Sequence, residues 1–271
     1  MALVEKQNPA DADRSAHIGK GAPPEMGSQG AKEALAEKII VALDVDSEEE
    51  AYSLVRQLSP LISYYKVGFR LFLTSGPRII SGMKKLGVRV FLDQKFHDIP
   101  NTVATAAEVA VSYGVDMFNI HLSGGREMML RTVEAAEKAS HRYGVPCPTI
   151  VGVTVLTSFN EQTLREEAGV ERSMEEHVLH LARLAKESGM HGVVASSREA
   201  PLIREKVSED LVIVTPGIRP SWSAADDQQR ILTPRHALES GSTYLVIGRP
   251  IIADPSPREA AEKILAEMDA V

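Results

Sequence analysis

Eight short apolar runs recur along the chain, and between them apolar residues return every three or four positions. The runs cover 39–44, 62–67, 88–93, 117–121, 149–155, 192–195, 211–214 and 244–247. They are rich in Val, Ile and Leu and read as nearly continuous apolar sequence, the pattern of parallel strands buried on both faces. The intervening stretches 48–58, 101–113, 126–143 and 174–188 have the period of amphipathic helices. Start and stop residues agree with them: Asp46 and Ser47 before the first, Asn101 and Thr102 near the second, Ser123 before the third, and Gly144 and Gly189 after the last turns of the third and fourth. Eight strand–helix units with no chain left for a second domain predict a single-domain α/β protein, a closed (β/α)8 TIM barrel over residues 31–271. A doubly wound open sheet uses the same alternation, but no G-x-G-x-x-G follows the first strand. Residues 1–30 are polar, rich in Ala, Gly and Pro and without periodicity, which predicts a flexible tail. A short helical lead-in is expected at 32–38.

Composition narrows the classes. The 271 residues are 44% hydrophobic with a net charge of −7, and Lys and Arg are scattered rather than clustered. That disfavours a nucleic-acid surface while leaving room for a local phosphate pocket. Cys147 is the only cysteine, so no intrachain disulfide can form; a reducing, cytoplasmic location is expected, with Cys147 as a packing residue. No apolar stretch is long enough for a transmembrane helix and no secretory h-region is visible, so a membrane partner is not expected.

In a barrel of this kind chemistry gathers at the carboxyl ends of the strands. The first ends at Asp44, the second carries Lys66, and the third runs into Asp93-Gln94-Lys95-Phe96-His97-Asp98-Ile99-Pro100-Asn101. Asp93 and Lys95 are two apart, so an extended chain points both to one face. Buried ions are costly unless paired. Asp44, Lys66, Asp93 and Lys95 would form an alternating chain of charge in which every member has an opposite neighbour. The fourth strand ends in Asn119 and His121, and His121 is expected to be structural or to support the site from behind it. Thr157 and Ser158 after the fifth strand suit either a helix cap or the polar edge of a planar ring. After the seventh strand, Gly217 and Arg219 lead into a long polar segment containing Gln228. After the eighth come Gly248 and Arg249. Two arginines on these two loops predict a phosphate grip.

These residues carry a resemblance to the orotidine 5′-phosphate decarboxylase family. It rests on Leu43-Asp44, Lys66-Val67-Gly68, the Asp93-x-Lys95-x-x-Asp98-Ile99-Pro100-Asn101-Thr102 motif, Val155-Leu156-Thr157-Ser158, Thr215-Pro216-Gly217-Ile218-Arg219-Pro220 and Val246-Ile247-Gly248-Arg249-Pro250. It spans the chain from about Ile39 onward. The resemblance implies decarboxylation of orotidine 5′-phosphate (OMP) to UMP, without cofactor or metal, in a homodimer. On the matching positions, Lys95 would protonate C6 of the pyrimidine, Asp93 would face the substrate carboxylate, and Lys66 would complete the charge chain and touch the ribose. Asp98, beside Thr102, would enter the neighbouring subunit's pocket. Asp44 would bind a ribose hydroxyl, Thr157 and Ser158 the pyrimidine edge, and Arg219, Gln228, Gly248 and Arg249 the phosphate. A metal-dependent sugar-phosphate decarboxylase of the 3-keto-L-gulonate 6-phosphate type shares a similar D-x-K-x-x-D. It needs an acidic metal ligand where this chain has Lys66. A catalytically silent nucleotide-binding barrel is the other rival, and it gives no reason for a sheltered lysine aimed at a base.

Overall fold

The structure, a computed structural model, describes residues 28–223 and 233–269. Eight parallel strands close into a barrel in chain order: β1 Ile39–Ala42, β2 Tyr64–Gly68, β3 Arg89–Phe96, β4 Met117–His121, β5 Thr149–Val153, β6 Gly192–Val194, β7 Val212–Thr215 and β8 Tyr244–Ile247. β8 pairs with β1, as Ile39–Leu245 and Ile40–Val246, so no strand edge remains. Helix α1 (Ser28–Ala36) leads in, and α2 (Glu48–Leu58) returns the chain to β2. Two short helices, α3 (Phe69–Ser75) and α4 (Arg78–Lys85), then α5 (Pro100–Ser112) and α6 (Arg126–Tyr143) serve the next strands. After β5 come α7 (Glu161–Glu166) and α8 (Met174–Glu187), then α9 (Ala200–Lys206), α10 (Pro234–Glu239), α11 (Arg249–Ile252) and α12 (Pro257–Asp269). The expected (β/α)8 barrel is the observed fold.

Strand pleating divides the core into two layers. Ile40, Ala42, Tyr64, Phe91, Met117, Val151, Val214 and Val246 fill the barrel interior. Their sequence neighbours, such as Ile39, Val41, Tyr65, Val67, Val90, Leu92 and Phe118, pack outward against the helices. Each strand is therefore apolar on both faces, which is why its sequence reads as a run instead of an alternation.

Helix ends agree with the expected signals in part. Ser47 caps α2 by accepting from Glu50 N at 3.2 Å, and Gly144 closes α6 in the left-handed conformation at φ 63°. Ser123 is not a cap: Leu122–Gly124 form a 3-10 turn, and Gly125, at φ 87°, takes the position before α6. Asn101 and Thr102 are not caps either. Pro100, with its fixed φ, starts α5, so both lie inside the first turn behind Ile99. Every strand except the fourth and the eighth ends differently from its apolar run, the sixth and seventh by a single residue. β1 stops at Ala42 and β5 at Val153, whereas β2 runs on to Gly68 and β3 to Phe96. Cys147 is exposed before β5, so it is no packing residue.

Candidate active site

A two-residue step along each strand carries the chain from the apolar barrel interior to its mouth. Tyr64, Phe91 and Met117 belong to the interior cluster, and Lys66, Asp93 and Asn119 are the next residues on the same faces. Ala42 leads to Asp44 in the same way. All three residues above this layer are buried: Lys66 at 8% exposure, Asp93 at 9% and Asn119 at 1%. Polar side chains at this depth require partners.

They find them in each other. Lys66 Nζ lies 3.2 Å from Asp44 Oδ1 and 3.2 Å from Asp93 Oδ2. Lys95 Nζ donates to Asp93 Oδ1 at 2.6 Å, and Asn119 Nδ2 donates to that same oxygen at 2.7 Å. The charges alternate from Asp44 through Lys66 and Asp93 to Lys95. Burial by itself would push the Asp93 carboxyl up. The Lys66 and Lys95 ammoniums and the donors of Lys95 and Asn119 outweigh it, and the group is held below the usual carboxylate range. Gly68 leaves the space for this arrangement, because a Cβ there would stand 2.9 Å from Lys66 Nζ and 3.4 Å from Asp44 Oδ1.

Asp93 and Lys95 meet for a reason other than strand alternation. From Leu92 to Phe96, β3 spends four residues where β4 spends two, Phe118 to Ile120. Within that bulge Lys95 adopts φ 45°, the one non-glycine residue with positive φ among the described residues. Its backbone N–H donates to Asn119 Oδ1 at 2.7 Å. The ammonium also lies 5.6 Å from the centre of the exposed Phe69 ring.

The other expected site residues lie on the segments that follow the strands. Gly248, at the end of β8, faces Asp44: its Cβ position would be 3.7 Å from Asp44 Oδ2. Arg249 is exposed at the start of α11, and Arg219 is half-buried in the loop after β7. Thr157 and Ser158 are exposed in the loop after β5. Asp98 is exposed and accepts from Ile99 N at 2.7 Å. Thr102 is exposed on α5. Gln228 lies outside the described residues. All of those described sit at the carboxyl end of the barrel.

The ring of His121 lies 5.4 Å from that of His97, the planes tilted by 39°, and burial, then His97 and Lys95, push its pKa down. Asn119 is the functional candidate to which the sequence assigned no role. Its signal was available: Met117 to Asn119 repeats the steps from Phe91 to Asp93 and from Tyr64 to Lys66. Among the described residues, no group of three or more His, Cys, Asp or Glu side chains could hold a metal ion, and no helix is long and apolar enough to cross a membrane.

The family model described as orotidine 5′-phosphate decarboxylase / HUMPS family matches residues 37–264. A protein of Geotalea daltonii named orotidine 5′-phosphate decarboxylase is 50% identical over 231 residues, covering 85% of this chain and 95% of that protein. One of the same name from Moorella thermoacetica is 49% identical over 235 residues, covering 87% and 93% respectively. The crystal structure of orotidine 5′-phosphate decarboxylase from Lactobacillus acidophilus superposes with a TM-score of 0.75 at 35% identity, covering 86% of this chain and all of that one.

Proposed function

Because the chain belongs to the orotidine 5′-phosphate decarboxylase / HUMPS family, we propose that it decarboxylates OMP to UMP in pyrimidine biosynthesis, with Lys95 as the proton donor. The observation that carries this reading is the pair of ammoniums, Lys66 and Lys95, held on one buried carboxylate at the barrel mouth. Asp93, kept ionised by its two cations, faces the departing carboxylate. As the bond from C6 to that carboxylate breaks, its electron pair stays on C6. The fixed ammonium of Lys95 stabilises the developing charge and then gives C6 a proton, which solvent later replaces. A cation that is oriented before the reaction costs no reorganisation at the moment the charge forms.

Asp44 and Lys66 bind the ribose, and Thr157 and Ser158 face the pyrimidine edge. Arg219, Gln228, Gly248 and Arg249 hold the phosphate, far from the reacting carbon. Binding energy from that remote end assists the chemistry only if it is realised more fully in the transition state. The sugar-phosphate branch of the family is disfavoured because the Lys66 ammonium already occupies the place between the carboxylates of Asp44 and Asp93. A divalent metal there would meet a like charge.

A homodimer fits the surface around the site. Phe69, Leu73, Ile99 and Val109 are 51%, 78%, 67% and 42% exposed. A groove of about 630 Å³ lined by Phe72, Phe96, Ala106, Val109 and Tyr113 runs between α3 and α5. Apolar surface of this kind is costly to leave in water. A second copy placed on it would bring Asp98 and Thr102 of one protomer towards the other's pocket. The enzyme is expected to work in the cytoplasm.

Mixing the purified protein with OMP and following the loss of ultraviolet absorbance, with and without a chelator, tests the reading. Turnover that survives chelation and disappears in Lys95→Ala, with UMP binding retained, is the expected result. Normal turnover by Lys95→Ala would overturn the assignment.

A further inference from the structure

We propose that Asn119 is the positioning residue that sets Lys95 for proton transfer, an inference that rests on the reading of Lys95 as the donor. One carboxamide, 1% exposed, holds two ends of the same reacting pair. Its Oδ1 accepts from the backbone N–H of Lys95 at 2.7 Å. Its Nδ2 donates at 2.7 Å to Asp93 Oδ1, the oxygen that also accepts from Lys95 Nζ at 2.6 Å. The amide therefore fixes the backbone from which the lysine side chain springs and the acceptor to which its ammonium points.

The backbone needs such a hold. Lys95 sits at φ 45°, a left-handed conformation that crowds Cβ against the carbonyl and that lysine rarely adopts. It lies within the stretch where the pairing of β3 with β4 slips between Leu92 and Phe96, so regular strand bonding does not maintain it. Strain of this kind persists only where the surroundings over-determine it. Without the Asn119 oxygen, the Lys95 N–H would lose its acceptor and the bulge could relax towards an extended chain, moving the ammonium off its line.

The chemistry of position 119 is also restrictive. The side chain must accept from an amide and donate to a carboxylate at once, while adding no charge beside Asp93. A neutral carboxamide does both. An ionised Asp accepts only, and sets a second negative charge beside Asp93. A protonated Asp does both again, which turns the proposal into a pH experiment.

The test measures kcat, KM and thermal midpoint for wild type, Asn119→Ala, Asn119→Asp and Lys95→Ala between pH 5.5 and 8.5. In Asn119→Ala, kcat should fall about 100-fold, the penalty of a misplacement near 1 Å, with KM changed by no more than about threefold. In Asn119→Asp, the two neighbouring carboxyls share a proton as the pH falls. Its kcat relative to wild type should therefore rise at least about tenfold from pH 8.5 to 5.5. A role confined to folding would lower the thermal midpoint and give a loss uniform across pH. If Asn119→Ala does not fold, Asn119→Asp decides alone. A kcat within threefold of wild type in Asn119→Ala, or a pH-independent deficit in Asn119→Asp, overturns the proposal while Lys95→Ala remains inactive. Normal turnover by Lys95→Ala instead removes the reading on which the proposal rests.

Discussion

Replacing Asp93 with Asn keeps the shape of the site and deletes its central negative charge. In the wild type that carboxylate serves Lys66 at 3.2 Å, Lys95 at 2.6 Å and Asn119 at 2.7 Å. The side chains of Asp93 and Lys66 are only 12% and 10% exposed. Removing one partner of a buried pair costs about 3–5 kcal/mol, because the other charge stays buried and uncompensated. Here water compensates part of the loss, since Lys95 is 26% exposed and Asp44, the remaining counter-charge of Lys66, is 56% exposed. A destabilisation of about 3 kcal/mol is therefore expected for Asp93→Asn. For a chain of this size it corresponds to a fall in Tm of about 6–12 °C.

Urea unfolding of both proteins at fixed concentration, from pH 7 down to pH 3, measures the gap and its pH dependence. Asp93 has a folded pKa below its unfolded value of about 3.9. Its contribution is thus fully present above that unfolded value and is lost as the pH falls through the folded one. The gap between wild type and Asp93→Asn should stay level from pH 7 to about 5 and begin to close below about 4. Equal stability at pH 7, or a gap that widens on acidification, would refute the reasoning about the buried charge chain.

Two further outcomes test other parts of the structure. If Asp98 completes the neighbouring pocket, mixing inactive Asp98→Ala and Lys95→Ala proteins should restore about a quarter of wild-type activity, since half of randomly formed dimers carry one intact site; confirmed mixed dimers with no recovery would rule out shared pockets. Gly192→Ala should cost at least about 3 kcal/mol or abolish soluble expression, because the added Cβ would stand 2.1 Å from the Val212 backbone oxygen inside the barrel; a wild-type urea midpoint would contradict that geometry.

The barrel was legible because burial on both faces leaves an unmistakable run of apolar residues. The 117–121 and 244–247 runs coincide with β4 and β8. The 88–93 run stops at Asp93, whereas β3 continues to Phe96. Polar side chains end an apolar run, but a backbone that still bonds to its neighbours does not end there. The segment between β2 and β3 gave no long helical period because Gly76, at φ 65°, and Pro77 split it into two short helices.

The Asp44–Lys66–Asp93–Lys95 chain was legible from strand-end charges alone. The expectation that Asp93 and Lys95 share a face by simple alternation reached the right pair by the wrong route, since a bulge and a left-handed lysine bring them together. Neither feature has a sequence signature, because nothing in the residue type announces φ 45°. Asn119 was passed over because a single amide in an apolar strand carries no charge that demands a partner. Its importance emerges only when its two hydrogen bonds are seen to end on the same pair of residues.

The left-handed backbone at Lys95 sets a trap for protein engineering. Glycine occupies that conformation without steric strain, so Lys95→Gly recovers in the backbone part of what it loses with the Lys95–Asp93 ion pair, and a search that rewards abundance alone will tolerate barrels without that ammonium. Libraries built on this scaffold should hold position 95 constant, and deep mutational scans read for abundance and for growth without added pyrimidine should diverge there.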